Sequence, residues 1–251
     1  MVEEELQVAS LESHLQELKV RLIKSLVVFI FFVILTFSFS QSLYDFLAKP
    51  LLKAMLNQNS SLERKLIFTG ITEAFMTHMK LSLFMAFGLS FPYFIFQFYA
   101  FIAPGLYKKE KKLLVPFLIG SLTLFFIGLL VAYYLVAPIA CQFFLTFENN
   151  LKFEESIFPV LLEARVSEYL STIIQLTISF GLVFQLPIIL LALVKLGWLT
   201  LNSLIQYRRQ AIVVNFILAA IITPPDVFSQ ISLAIPMVCL YELSILLIKK
   251  L

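Results

Sequence analysis

From Phe98 to Lys112 the chain reads FYAFIAPGLYKKEKK. An apolar run ends at Pro104-Gly105, and four lysines then surround a single carboxylate, Glu110. Short lysine-rich loops between apolar segments stay on the cytoplasmic side of a membrane. The stretch therefore predicts a membrane-spanning helix followed by a cytoplasmic loop. It also places one acid in a basic surface beside the lipid, where a positively charged peptide could bind.

The composition of the whole chain is that of a membrane protein. Of its 251 residues, 60% are hydrophobic and 14% are charged, and 27 are phenylalanine. A soluble domain carries about a quarter charged residues, so this chain has too little polar surface to cover a globule in water. The net charge of +3 is small for a nucleic-acid-binding protein, which concentrates basic residues on one face. We predict an all-α integral membrane protein that does not bind nucleic acid.

Six apolar stretches predict six transmembrane helices in a single membrane domain, residues 1–251. The stretches lie at about 22–40, 75–103, 113–138, 169–194, 211–223 and 227–248. A helix needs about 20 residues to cross roughly 30 Å of hydrocarbon. The 13 residues of the fifth stretch reach only ~20 Å at ~1.5 Å per residue. We expect the fifth and sixth helices to form a short hairpin closed by Thr223-Pro-Pro-Asp226, because proline ends one helix and can begin the next.

Proline recurs inside or at the edges of these stretches, which predicts kinked helices of unequal length. The positions are Pro92, Pro116, Pro138, Pro187 and Pro236. Kinked helices of unequal length rarely form a compact cylinder, so we expect a curved wall with an open concave side. The outward segments 41–74 and 139–168 are rich in leucine, phenylalanine and proline, which predicts packed caps rather than disordered linkers.

Lysine and arginine are distributed unevenly between the two sides of the membrane. One side holds twelve: Lys19, Arg21, Lys24, Lys108, Lys109, Lys111, Lys112, Lys195, Arg208, Arg209, Lys249 and Lys250. The other side holds six: Lys49, Lys53, Arg64, Lys65, Lys152 and Arg165. The bias predicts that both termini lie in the cytoplasm. Because the chain starts with acidic rather than basic residues, we expect no cleavable signal peptide, and the first apolar stretch stays as an anchor.

The N-terminal segment carries leucines at spacings of four, three and four, which predicts an amphipathic helix at the membrane surface ahead of the first span. Within it, Glu17 and Arg21 are four residues apart and can form a helix-surface ion pair. Alternatively, Glu17 faces the same surface as Glu110, and the two carboxylates bind two guanidinium groups, each through paired hydrogen bonds. Glu110 can also serve only to relieve repulsion among its lysines. The residues alone leave these alternatives open.

Gln185 is the deepest strongly polar side chain of the fourth span. An unpaired polar group in lipid costs about 1–3 kcal/mol or more, so Gln185 requires a reason to be there. It either makes a hydrogen bond between helices or presents a polar point on the concave wall to a partner or substrate. Asp226 follows two prolines, which predicts an N-terminal cap for the sixth helix.

The residues that usually carry catalysis are not arranged for it in this sequence. Cys141 and Cys239 lie in or beside apolar segments without metal-type spacing, and His14 and His78 are far apart. There is no nucleophile–base arrangement and no glycine-rich phosphate loop. We therefore predict no enzyme activity, no catalytic residue, no metal and no cofactor.

Several motifs occur together and cover essentially the whole chain. They are His14–Leu22 (HLQELKVRL), Thr72–Phe75 (TEAF), Phe91–Pro92, Phe101–Glu110 (FIAPGLYKKE), Gly181–Pro187 (GLVFQLP), Tyr207–Arg209 (YRR), Leu218–Gln230 (LAAIITPPDVFSQ), Ile235–Pro236 and Tyr241–Glu242. With these motifs in this order, the chain resembles the TatC family, the multi-span receptors of the twin-arginine protein translocase.

The resemblance implies a function. TatC-like proteins receive folded precursors that bear an Arg-Arg signal peptide. With single-span partners of the TatA and TatB families, they move these precursors across the membrane with the proton-motive force. It further implies a homo-oligomeric receptor complex in a bacterial cytoplasmic (inner) membrane, or alternatively in an organelle membrane of bacterial descent.

The resemblance also implies roles for individual residues. Glu17 and Glu110 match the acids that recognise the twin arginines, and the same signal-peptide site includes Lys19, Arg21 and Phe101. Gln185 matches a polar position on the concave face. Positions implied in partner contact or assembly are Pro50, Tyr133, Thr223, Asp226 and Gln230. Two departures are notable: the family commonly has arginine at the position of Lys19, and many relatives have glutamate at that of Gln185.

Two other functions are compatible with a multi-span chain. A secondary transporter or channel for a small solute predicts internal repeats and buried ionisable residues near the midplane. The sequence has no repeat, and its mid-span polar residue is a glutamine. A purely structural scaffold predicts that replacing the carboxylates leaves export intact.

Overall fold

The computed structural model describes residues 11–56, 66–105, 108–150, 164–223 and 226–250, with side chains omitted at 11–13, 105, 108–113 and 147–150. Within these ranges the chain is almost entirely helical, and a single bridge pairs Ile67 with Arg165. The predicted all-α fold is confirmed.

The first span belongs to α1, Leu11–Ser38, which is one uninterrupted helix of 28 residues. The prediction of a separate surface helix ahead of the span is wrong. No glycine or proline lies between Leu11 and Ser38 to break the helix, so the amphipathic turns continue directly into the apolar ones. Thr36 then joins α1 to the next span by donating a hydrogen bond from Oγ1 to the carbonyl oxygen of Ser82, at 3.0 Å.

The outward segment after α1 is a second helix, α2, Ser40–Leu56, with Pro50 in its interior. Its buried face consists of Leu47, Ala48, Pro50, Leu51 and Ala54. The second span is α3, Glu73–Ile102, which continues through Pro92 and ends in a 3₁₀ turn, Ala103–Gly105. The described part of the first cap is therefore packed, as predicted, and residues 57–65 of it lie outside the described ranges.

The third span is longer than the predicted 113–138. It comprises α4, Lys108–Val131, a π turn at Ala132–Val136 and α5, Ala137–Asn150. The π turn widens the helix just before Pro138, and the amide of Ala137 donates to the carbonyl of Ala132, five residues back. The helix thus carries on into the second outward segment, of which residues 151–163 lie outside the described part of the chain.

The fourth span is interrupted, as the prolines predict. It consists of α6, Val166–Val183, and α7, Leu186–Lys195, separated at Phe184 and Gln185. The break precedes Pro187, which has no amide hydrogen to donate to the carbonyl four residues back. A short helix, α8, Leu201–Gln206, follows and is capped by Thr200.

The last two helices are α9, Arg208–Ile222, and α10, Val227–Lys250. Within the described ranges, five helical segments are long and apolar enough to cross a membrane, and α9 is not among them. Its 15 residues reach ~22 Å at ~1.5 Å per residue. Since α10 has 24 residues, only the first arm of the predicted hairpin is short.

The helices contact one another in series, α1 on α3, α3 on both α4 and α6, α4 on α6, α7 on α10 and α10 on α9. Two glycines let α4 and α6 approach closely. A Cβ at Gly128 would lie 2.7 Å from the carbonyl oxygen of Phe180, and one at Gly181 would lie 2.8 Å from the ring of Phe125. The helices α3, α4 and α6 thus pack around one another, whereas α1 contacts mainly α3 and α9 contacts mainly α10.

The outward ends of the second and fourth spans are joined by the carboxylate of Glu73. Its oxygens accept hydrogen bonds from the amides of Thr69 at 2.7 Å and Gly70 at 3.2 Å, and from the hydroxyl of Ser167 at 2.5 Å. Ile67 also exchanges backbone hydrogen bonds with the chain at Ala164 and Val166. This network fixes the start of α6 against the segment that leads into α3.

Candidate functional site

At the N-terminal end of α1, one guanidinium connects α1 to α3. Arg21 donates from Nε and Nη2 to Oε1 of Glu17, at 2.9 and 2.6 Å. Its Nη1 donates to Oε1 of Gln97 on α3, at 3.0 Å. Gln97 in turn donates from Nε2 to the hydroxyl of Tyr93, at 2.7 Å. Arginine suits this role because its planar group presents several donors in a fixed geometry.

The predicted ion pair between Glu17 and Arg21 is confirmed, and it leaves the acid accessible. The side chain of Glu17 is 37% exposed, and both hydrogen bonds from Arg21 go to Oε1. Oε2 accepts no hydrogen bond from the described residues. Because exposed ion pairs contribute only about 0–1 kcal/mol, an incoming guanidinium can bind Oε2 or exchange with Arg21.

Phe101 packs on α1 one turn before this acid. The ring of His14, one turn before Glu17 on α1, stacks on Phe101 with centroids 4.3 Å apart and an interplanar angle of 23°. Lys19 is exposed on the same helix. The backbone of Glu110 lies in the first turn of α4, but its side chain lies outside the described part of the chain. The pairing of Glu17 with Glu110 therefore stays a prediction.

A groove of about 660 Å³ opens between the end of α3, the start of α4, and α7. Most of its lining is apolar, including Ile95, Phe98, Ile102, Phe117, Ile188 and Leu193. Lys195 and Trp198 also line it, and these are residue types that favour membrane interfaces. Its volume lies within the range of about 300–1,000 Å³ that is typical of ligand sites.

Gln185 lines the groove and is only 8% exposed. Its Nε2 donates to the carbonyl oxygens of Ser121 on α4, at 3.1 Å, and of Gly181, at 3.5 Å. The hydroxyls of Ser121 and Tyr99 are 3.3 Å apart. The predicted hydrogen bond between helices is confirmed. Gln185 also lines the groove, and its contact with a partner or substrate stays a prediction.

The hairpin of α9 and α10 contains three predicted site residues. Asp226 caps α10, because its Oδ1 accepts a hydrogen bond from the amide of Ser229 at 2.6 Å, as predicted. Thr223 is buried and donates to the carbonyl oxygen of Ala219, at 2.8 Å. Gln230 donates to the carbonyl oxygen of Phe216 on α9, at 3.4 Å. Of these contacts, only the one from Gln230 joins the two arms of the hairpin, since the other two are local to α9 and to the start of α10.

Pro50 and Tyr133, the other two predicted assembly positions, are connected through Phe46. Both are buried. The hydroxyl of Tyr133 donates to the carbonyl oxygen of Phe46, four residues before Pro50. The rings of Phe46 and Tyr133 stack with centroids 4.5 Å apart. The predicted site residues thus fall into three separate places: the region of Glu17 and the groove, the hairpin of α9 and α10, and the packing of α2 on the third span.

Sequence reasoning missed several residues that organise these places: Tyr93, Gln97, Ser121 and Tyr169. Gln97 carried a signal, since it is a polar residue in an apolar stretch. The others did not stand out, because serine and tyrosine are common in spans and at their ends. Among the described residues, no cluster of three or more histidine, cysteine or acidic side chains is placed to hold a metal ion.

Comparisons of sequence identify the family. The family described as Sec-independent protein translocase protein (TatC) matches residues 13–236. A TatC of that description from Rickettsia prowazekii (strain Madrid E) is 44% identical over 238 residues, which cover 95% of this chain and 92% of the relative. Another from Aquifex aeolicus (strain VF5) is 38% identical over 237 residues, covering 94% and 93%.

Comparison of structures agrees with the sequence relatives. The crystal structure of the twin-arginine translocase receptor TatC superposes with a TM-score of 0.77 at 37% identity, covering 94% of this chain and 98% of that one. The same receptor solved in a detergent, DDM, gives a TM-score of 0.78. The family is one of translocase proteins and not of enzymes. This multi-pass membrane chain belongs to the TatC family of Sec-independent protein translocase proteins.

Proposed function

We propose that the chain is the signal-peptide receptor of a twin-arginine translocase in a bacterial cytoplasmic membrane, with both termini in the cytoplasm. It binds the Arg-Arg signal peptides of folded precursors. It then assembles with single-span proteins of the TatA and TatB families, and with further copies of itself, for translocation driven by the proton-motive force. Relatives of this chain carry the translocase name, and a relative of known structure carries the receptor name.

One observation carries the proposal: the last turns of α3 contact both parts of the candidate site. Phe101 stacks on His14 beside Glu17, and Phe98 and Ile102 line the groove. A peptide whose arginines bind at Glu17 can therefore continue along α3 into an apolar groove. A twin-arginine signal peptide has this order of chemistry, with its arginines preceding an apolar segment.

The two arginines of the signal peptide bind first, at Glu17 and Glu110 on the cytoplasmic surface. Paired carboxylates favour arginine over lysine, because the guanidinium fork matches a carboxylate through two hydrogen bonds. The apolar segment then enters the groove, where Gln185 is the buried polar contact. Partner helices assemble along the hairpin of α9 and α10, where the short α9 thins the membrane locally.

The buried residues weigh against the transporter alternative. Among the described residues, the buried polar side chains are serines, threonines, Gln185 and Asn215, without an acid or a base. A secondary transporter is expected to carry ionisable groups in its buried midplane. The chemistry of the described core suits a structural wall better than an ion pathway.

Complementation tests the proposal. The chain, produced with its matched partners in a translocase-deficient cell, should restore export of a folded twin-arginine reporter. Glu17→Gln and Glu110→Gln should each reduce export and crosslinking of the precursor by more than tenfold, because each removes one charge-assisted contact of about 1.5–3 kcal/mol.

Glu168→Gln is the matched control. This acid is 68% exposed at the start of α6 and pairs with Arg165, away from the candidate site, so its loss should leave export unchanged. Precursor binding that survives in the doubly reversed Glu17→Lys/Glu110→Lys chain would contradict the paired-carboxylate mechanism. Absence of export from a stably inserted parent chain would contradict the proposed function itself.

A further inference from the structure

The interior proline of α2 leaves one backbone carbonyl without its usual donor. Pro50 has no amide hydrogen, so the carbonyl of Phe46, four residues earlier, cannot make the normal helical hydrogen bond. This carbonyl belongs to a packed part of the molecule, since Leu47, Ala48 and Leu51 around it are 5% exposed or less. A carbonyl that packing shields in part from water is best stabilised by another donor.

The donor comes from the third span. The hydroxyl of Tyr133 reaches the carbonyl oxygen of Phe46, and the two rings stack at an interplanar angle of 14°. Tyr133 lies in the π turn at Ala132–Val136. A π turn displaces the side chains that follow from their normal helical positions, which is why such turns often occur at functional places.

A second tyrosine binds the next carbonyl along. The hydroxyl of Tyr169, in the first turn of α6, donates to the carbonyl oxygen of Leu47 at 2.8 Å. A carbonyl oxygen has two lone pairs, so Leu47 can accept this bond beside its bond within the helix. Two consecutive carbonyls of α2 are thus held by hydroxyls from the third and the fourth spans.

We infer that these groups form one positioning device, here named the tyrosine latch: the hydroxyls of Tyr133 and Tyr169 on the carbonyls of Phe46 and Leu47. Pro50 leaves the carbonyl of Phe46 free to accept the hydroxyl of Tyr133. Tyr169 is a positioning residue in the same way as Tyr133. The latch fixes α2 as a rigid cap across the outward ends of two spans. Its importance for export rests on the proposed function, whereas its geometry does not.

The latch makes a specific prediction of rescue. Replacing Pro50 with alanine restores an amide hydrogen at residue 50, and this amide can donate to the carbonyl of Phe46. The Pro50→Ala change should therefore rescue Tyr133→Phe. It should not rescue Tyr169→Phe, because the carbonyl of Leu47 is not the one that Pro50 leaves open. A general loss of packing would not show this asymmetry.

Distance measurements between two nitroxide labels test the geometry. One label replaces Lys53, which is exposed on α2, and the other replaces Thr172 on α6, whose hydroxyl bonds only within its own helix. Cys239 is changed to alanine, and Cys141 is buried from the reagent. The parent should give one narrow distance distribution, and Tyr133→Phe and Tyr169→Phe should each broaden it.

The double variants test the predicted rescue, and export in cells tests the role of the latch in translocation. The distance distribution should be narrow again in the double variant Pro50→Ala/Tyr133→Phe. It should stay broad in the double variant Pro50→Ala/Tyr169→Phe. Equal breadth in both double variants, or narrow distributions in both single variants, would overturn the latch. In cells, Tyr169→Phe should lower export about fivefold, the population shift that one net hydrogen bond supports, while precursor crosslinking is retained.

Undiminished export by Tyr169→Phe would overturn the role of the latch in translocation. A parent chain that exports nothing would instead count against the proposed receptor function. The label distances would still test the latch in that case, because they require only the folded protein. The two failures are therefore distinguishable.

Discussion

At the scale of single residues, Arg21 and Gln185 each combine two tasks. Arg21 holds Glu17 in place and joins α1 to α3 through Gln97, so its replacement changes the acid and the helix contact together. Gln185 joins α7 to α4 and also lines the groove. Substitutions at such positions need a control that separates structure from binding.

Gln185→Leu provides one such test. The change removes the donor to Ser121 and makes the groove wholly apolar at this point, so the solubilised protein should lose about 1 kcal/mol of stability. Thermal unfolding in detergent measures the loss. Ile189→Leu, which alters the same groove without removing a hydrogen bond, should leave the unfolding temperature nearly unchanged. Equal melting of the two variants would show that the Gln185 hydrogen bond contributes nothing to the fold.

Sequence could predict the contact of Glu17 with Arg21, because a spacing of four on a helix brings side chains together. It could not predict the bond from Arg21 to Gln97, since these residues are 76 apart in the chain and meet only through the packing of α1 on α3. The bond between Gln185 and Ser121 has the same origin. Long-range partners depend on which helices become neighbours, and apolar periodicity does not specify that.

At the scale of helices, the lengths of the apolar stretches predicted the membrane spans well but predicted where the helices begin and end poorly. In the part of the chain that the structure describes, five segments reach membrane length, and the short α9 follows from its 13 predicted apolar residues, 211–223. The separation of α1 into surface and membrane parts is wrong, because no residue in it breaks the helix. The third span extends to Asn150, since the residues after Pro138 are apolar and the π turn accommodates the proline.

The close crossing of α4 and α6 is tested by Gly128→Ala. The new Cβ would lie 2.7 Å from the backbone carbonyl oxygen of Phe180, which cannot move aside as a side chain does. We expect a loss of about 1–3 kcal/mol of stability, measured by unfolding in detergent. Gly88→Ala is the matched control, because a Cβ there meets nothing within 4 Å and alanine favours a helix by up to about 1 kcal/mol.

A stable Gly128→Ala protein would mean that the two helices can separate without cost. A destabilised Gly88→Ala protein would show instead that the crossing is not what distinguishes the two glycines. Either result would contradict the packing argument.

At the scale of the whole molecule, the candidate residues lie in three separate groups of contacts. The first contains Glu17 and the groove, the second is the hairpin of α9 and α10, and the third is the packing of α2 on the third and fourth spans. The proposed function needs all three, because binding, assembly and a rigid frame are separate requirements.

The excess of lysine and arginine in one set of loops predicts that these loops and both termini face the cytoplasm, and single-cysteine labelling tests this orientation. In a Cys239→Ala chain, Lys53→Cys on α2 should react with a membrane-impermeant maleimide in intact cells. Arg209→Cys at the start of α9 should react only after the membrane is opened. Both positions are exposed, so access and not burial decides the result. If Arg209→Cys reacts in intact cells, Glu17 and the groove face outward and cannot receive a precursor from the cytoplasm.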